Sequence, residues 1–178
     1  MTDGYHGRPE ICEHLGGNPG RVEALDGSFH EHACGLIATP PAAARKLCFE
    51  IAEGAAIAHL ADAAVFAADM RALGVRIALG EFGACASSFG HLKTLAVDYL
   101  KIDGRFIRDL LDDPLDHAAV RSFREVAKVI GAKTIADAVE RGDTLAELKR
   151  IGIDHAQGDL IHRAQPLEEV LCGAAVMA

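Results

Sequence analysis

From about residue 46 onward, short apolar runs alternate with helical stretches, and several of the helical stretches stop at a glycine. This rhythm limits the fold more than any other feature of the chain. Leu47–Ile51, Val75–Leu79, Tyr99–Ile102, Lys133–Ala136 and Ile153–Ala156 read as strands. Between them, Asp62–Leu73 reads as an Ala-rich helix stopped by Gly74, and Ser87–Leu95 as a short helical piece with Ser88 as its cap. Arg105–Leu111 reads as a short helix, after which Pro114 breaks the chain. Asp116–Ile130 places Val120, Phe123, Ala127 and Ile130 at helical spacing before Gly131. Asp143 caps a helix that runs to Ile151 and stops at Gly152, and Pro166 opens a last one. Strand, helix, strand, helix at this spacing means βα units on a parallel sheet.

Five such units do not close a regular (β/α)₈ barrel, which usually needs about 250 residues; this chain has 178. The expected fold is α/β, a partial TIM-like (β/α) barrel of about five parallel βα units with an irregular N-terminal segment. Residues 1–45 form that arm and residues 46–178 the βα domain. The arm is set apart by Gly16-Gly17, Pro19-Gly20 and Pro40-Pro41 and by its lack of periodicity. A partial barrel leaves two strand edges with unpaired backbone groups. The arm, a second copy in a homodimer, or a protein partner is expected to cover them.

The formal net charge of −8 argues against a surface built for nucleic-acid backbones. Five cysteines without C-x-x-C spacing suit a reducing cytoplasm. The first thirty residues carry no apolar core of a signal peptide, and no run of about 18 apolar residues predicts a membrane span. In the arm, Cys12, His14, His30, His32 and Cys34 are residue types that bind Zn²⁺. Their spacing matches no finger pattern, so a His-bearing arm is the reading and a zinc site the alternative.

Chemistry-bearing residues recur where the strands end. Glu50 and Glu53 lie at the end of the first, Glu81 after the second, Lys101 and Asp103 at the end of the third. Asp137 and Glu140 follow the fourth, and Gln157 follows the fifth. Ligands of parallel α/β sheets meet the carboxyl ends of the strands. Lysine there can hold an anionic group, and a rim of carboxylates suits Mg²⁺, Mn²⁺ or Ca²⁺, often with a phosphate as co-ligand.

The same positions carry a resemblance. Phe49-Glu50-Ile51-Ala52-Glu53 resembles an L-E-I-T-E segment, and Leu73 to Gly83 resembles L-G-V-R-I-A-L-D-D-F-G. Leu92 to Asp103 is similar to a block ending V-D-Y-L-K-I-D, Ile135 to Glu140 to V-A-E-G-V-E, and Ile151 to Gly158 to L-G-x-D-x-A-Q-G. The blocks, in this order, are those of the EAL-type cyclic-di-GMP phosphodiesterase domain. The resemblance covers about residues 46–171, the C-terminal two-thirds of that domain. It implies a TIM-like barrel that binds cyclic-di-GMP at the strand ends and, in active members, hydrolyses one phosphodiester bond with two Mg²⁺ or Mn²⁺ ions. Carried over by motif, Glu50 and Asp103 match metal-site positions, and Glu53, grouped with them, matches the glutamate that steadies the loop after the following strand. Lys101, Asp137 and Glu140 match catalytic positions, and Glu81 and Gln157 match substrate-binding ones.

The departures bear on activity. The family's D-D pair is Gly80-Glu81 here, and its catalytic glutamate is Asp137. Glu23-Ala24-Leu25 spells the signature tripeptide but lies too close to Glu50 for the family's intervening βα units, and reads as coincidence. The expectation is a degenerate module, a pseudoenzyme, with no cofactor and with weak or no cyclic-di-GMP binding. The alternative is an active phosphodiesterase using Mg²⁺ or Mn²⁺, completed by oligomerisation.

Overall fold

The computed structural model describes residues 48–85 and 89–161. β1 (Cys48–Ala52) leads into α1 (Glu53–Ala58) and α2 (Leu60–Ala72), and β2 (Arg76–Phe82) precedes a 3-10 turn at Phe89–Lys93. β3 (Tyr99–Ile102) leads into α3 (Gly104–Arg108) and α4 (Pro114–Ile130). β4 (Lys133–Ala136), α5 (Gly142–Ile151) and β5 (His155–Ala156) complete the order. The strands pair in parallel as β1-β2-β3-β4-β5, so each βα unit adds its strand beside the last. The partial TIM-like sheet expected from the rhythm is the one observed. Its two edges among the described residues are β1 and β5.

Alternation along the strands separates two faces. Ile51, Leu79, Leu100 and Ile102 join Phe66, Met70, Val120 and Phe123 in one buried core beneath the helices. The opposite face carries Glu50, which pairs in register with Ala78, and Lys101, in register with Ile135. Cys48, Ala78 and Tyr99 form a small second cluster on it, packed by Ile135. The apolar residues therefore anchor the helices, and the residues between them face the other way.

At the amino ends of the strands, aspartates tie neighbours together. Asp98, just before β3, accepts the Ile77 N–H of β2 at 2.9 Å and an Arg71 guanidinium N–H at 3.1 Å. Asp154, just before β5, accepts from the Thr134 N–H and hydroxyl of β4 at 2.9 and 2.8 Å. A groove of about 280 Å³ lined by Arg71, Lys93, Asp98 and Gly131 lies at this end, away from Lys101. Polar groups at this end of a parallel barrel serve stability.

Several local readings change. The stretch before Asp62 is helical too: α1 and α2 meet at His59, whose φ of −133° interrupts the helix. Pro114 does not break the chain but opens α4 in its first turn, where its missing N–H is no loss, with Asp113 accepting the Leu115 N–H at 2.7 Å. Asp143 is not the cap of α5; Arg141 holds that position and pairs with Asp143 in the first turn. β2 runs on to Phe82, and its pairing with β3 shifts between Leu79 and Phe82. No helix of the described residues is long and apolar enough to cross a membrane. The arm, its cysteines and histidines, Ser87, Ser88 and the helix expected from Pro166 lie outside the described residues.

Candidate functional site at the carboxyl ends of the strands

Lys101 stands near the end of β3 with only 7% of its surface exposed. Its Nζ lies 3.2 and 3.0 Å from the two carboxylate oxygens of Glu50 on β1, across β2. On the other side, Asp137 Oδ2, just past β4, is 3.3 Å away. Burial alone pulls the Lys101 ammonium down, yet the charges of Glu50 and Asp137 outweigh it and hold it above the ordinary lysine value. Lys101 is therefore a charged ammonium between two carboxylates.

Gly80 of β2 lies between these strands and pairs in register with Ala52. A Cβ placed on it would fall 2.8 Å from Glu50 Cγ and 2.9 Å from Glu50 Cδ. Those are overlaps, so the Glu50 side chain fills the space a side chain at position 80 would need. The absence of a Cβ lets Glu50 lean across β2 to Lys101.

Glu53 serves another purpose. It is the first residue of α1 and 2% exposed. Its Oε2 accepts the backbone N–H groups of Gly83 and Cys85 at 3.1 and 3.2 Å, fastening the loop after β2. Gly83 has φ of +92° and rests against the Phe123 and Phe106 rings, at distances that leave no room for a side chain. Those rings stack edge-on at 5.2 Å, so the loop is held by a carboxylate on one side and an aromatic floor on the other. His91, buried in the 3-10 turn, brings Nε2 to 3.3 Å from Glu53 Oε1. The approach does not meet hydrogen-bond geometry, and that nitrogen has no hydrogen-bond partner among the described residues. Nothing in the sequence marked His91, because its neighbour Glu53 is remote along the chain.

The remaining expected residues separate. Asp103 caps α3, its Oδ1 accepting the Arg105 N–H at 2.8 Å. Glu81 is exposed and has φ of 53°, inside the irregular stretch of β2. Glu140 is exposed, and the exposed Gln157 uses its backbone to join the turn after β4 to β5. Of the residues singled out from sequence, Glu50 and Asp137 each contact Lys101. Among the described residues, no three Asp, Glu, His or Cys side chains are grouped to hold a metal ion.

The EAL domain family matches residues 18–164, a span that includes Glu23-Ala24-Leu25, outside the described residues, and every strand above. The chain is 41% identical over 121 residues to the cyclic di-GMP phosphodiesterase PdeB of Shewanella oneidensis, covering 68% of this chain and 14% of that protein. Among solved structures it is similar to the PaMucR phosphodiesterase in its c-di-GMP complex, at 32% identity and a TM-score of 0.66, covering 71% of this chain and 51% of that one. It is also similar to the FimX EAL domain of Pseudomonas aeruginosa bound to c-di-GMP, at 26% identity and a TM-score of 0.68, covering 78% and 57%. The chain thus spans less than two thirds of each of these relatives.

Proposed function

The chain belongs to the EAL domain family, and from that premise we propose that it is a catalytically degenerate EAL module of bacterial cyclic-di-GMP signalling. It works in the cytoplasm as a regulatory or protein-binding unit and does not hydrolyse the nucleotide. The observation that carries this reading is the contact between Glu50 and Lys101 across Gly80. In the resemblance, Glu50 is a metal ligand and position 80 an aspartate. Here Gly80 offers no side-chain oxygen, and the Glu50 carboxylate is given to an ammonium. Two-metal hydrolysis needs several oxygens converging on each ion at about 2.0–2.2 Å. Among the described residues, Glu50 and Asp137 are the two carboxylates in contact with Lys101, and that donor set does not fit a pair of divalent ions.

The test is a phosphodiesterase assay on pure protein with cyclic-di-GMP and Mn²⁺. No linear product above background is expected; turnover that disappears in Lys101→Ala would overturn the reading. Isothermal titration with cyclic-di-GMP, with and without metal, separates a nucleotide sensor from a partner-binding scaffold, and weak or no binding is expected.

An active phosphodiesterase completed by a second chain is the second reading. It is favoured by the buried Lys101, which keeps Asp137 at 3.3 Å at the strand ends. It requires a dimer by light scattering and turnover that rises faster than protein concentration.

A further inference from the structure

We propose that the Lys101 ammonium takes the electrostatic place of a divalent cation at this rim, and that Gly80 makes the exchange sterically feasible. The inference rests on the reading of the module as degenerate and adds what replaced its metal chemistry.

Carboxylates gathered at the ends of parallel strands repel one another unless a cation lies between them. Glu50 and Asp137 approach from β1 and β4, on opposite sides of β3. The cation between them is Lys101, with Nζ at 3.0 Å from Glu50 Oε2 and 3.3 Å from Asp137 Oδ2. Three charges meet there, two negative and one positive, and Lys101 is buried. Held at 3.0 and 3.3 Å by two carboxylates and only 7% exposed, its ammonium is a fixed cation rather than a mobile surface lysine.

Gly80 sets the geometry. With any side chain at position 80, the Glu50 carboxyl would have to leave its place, since a Cβ there overlaps Glu50 Cγ and Cδ. An aspartate at 80 would therefore add an oxygen and, in the same stroke, push Glu50 off Lys101. Loss of the aspartate and closure of the ion pair are one structural change. One ammonium is consequently shared by two carboxylates of the rim, and added Mn²⁺ meets carboxylates that already have a counter-ion.

The experiment is thermal melting and isothermal titration with Mn²⁺ alone, on the full chain and on Lys101→Met, Glu50→Gln and Gly80→Asp. The unmodified chain is expected to melt at the same temperature in Mn²⁺ and in EDTA. Lys101→Met, which frees both carboxylates, is expected to gain a Mn²⁺-dependent rise of about 2–4 °C. Gly80→Asp is expected to gain a rise of the same sign. A Mn²⁺ response of the unmodified chain that Glu50→Gln abolishes would overturn the inference, as would folded Lys101→Met and Gly80→Asp variants that both ignore Mn²⁺. If both variants fail to fold, the unmodified chain and Glu50→Gln still decide it: a shared indifference to Mn²⁺ supports the inference. The hydrolysis assay remains separate. A chain that binds Mn²⁺ through Glu50 without turnover sinks this inference and leaves the degenerate reading standing, whereas turnover sinks the reading itself.

Discussion

Glu50 leans across β2 through the space above Gly80 to reach Lys101, so the two carboxylate oxygens of a β1 residue are bound to an ammonium on β3, 3.2 and 3.0 Å away. In a parallel sheet, strands separated by a third stand roughly 9–10 Å apart. A side chain on the middle strand normally lies between such residues. The missing Cβ at position 80 removes that obstacle, and a buried lysine supplies the attraction.

The first consequence is mechanical. Gly80→Ala is expected to cost about 1–3 kcal/mol, because the added methyl overlaps Glu50 and an overpacked site must displace it. In a Glu50→Ala background the same substitution should cost less by at least about 0.5 kcal/mol. Urea unfolding of the four proteins of that cycle measures the coupling. Strict additivity would mean that Glu50 does not occupy the space over Gly80.

The second consequence is electrostatic. Lys101→Met leaves Glu50 and Asp137 facing each other without their counter-ion. Loss of one member of a buried pair costs about 3–5 kcal/mol, and the partial exposure of Asp137, 38%, lowers the expectation to about 2–3 kcal/mol. The pH dependence has a fixed sign. The folded Lys101 titrates above the ordinary 10.5, so its contribution is complete below that pH and fades as pH rises through the higher folded value. The stability gap between the parent chain and Lys101→Met should therefore be constant near neutrality and narrow only above about pH 10.5. Urea titrations at pH 7, 9 and 11 test it; a gap that narrows below pH 9 would assign the effect to other groups.

The elements that could be read from sequence are those whose limits are set by local chemistry. β3 and β4 run Tyr99–Ile102 and Lys133–Ala136, as expected: β3 lies between Asp98 and Asp103, and β4 follows the glycine stop of α4 and ends before Asp137. α4 and α5 stop where Gly131 and Gly152 take the left-handed conformation that glycine adopts freely. The break at His59 was not legible, because Ala-rich sequence has good helix propensity on both sides of it. Nor was the end of β2: Glu81 takes a positive φ, which only the shifted pairing with β3 makes intelligible. At the site, strand-end position placed Glu50, Lys101 and Asp137 on one rim. What spacing along the chain could not convey is that a glycine between them determines which charges touch, since that depends on overlap of atoms from different strands.

Glu53 gives a third prediction, about a loop rather than a charge. Its carboxylate holds the Gly83 and Cys85 N–H groups from a position almost without solvent. Glu53→Ala orphans both donors and is expected to cost about 2–4 kcal/mol, while Glu53→Gln keeps one carbonyl acceptor and should cost less. Amide hydrogen exchange should report the site of damage: the Gly83 and Cys85 amides lose protection while Leu100 in the middle of β3 keeps its own. Uniform loss of protection across the sheet would show that Glu53 supports the whole core instead.

The fourth prediction concerns acid. Glu147 on α5 accepts from the Arg150 guanidinium at 2.7 and 2.8 Å and meets His117 Nε2 of α4 at 2.6 Å. The hydrogen bonds from Arg150 first, then from His117, lower it from the usual 4.5 to about 2. A carboxylate depressed in the folded state stabilises above its unfolded value and loses that contribution as pH falls through the folded one. The parent chain should hence lose stability relative to Glu147→Gln between about pH 4.5 and pH 2, and the difference between them should be flat from pH 5 to 6. Far-ultraviolet circular dichroism followed through acid titration gives both curves. Superimposable acid limbs would mean that the contact between α4 and α5 does not depend on the Glu147 charge. An Arg150→Met variant divides the effect further: it removes the largest cause and leaves His117, so its acid limb should fall between those of the parent and Glu147→Gln.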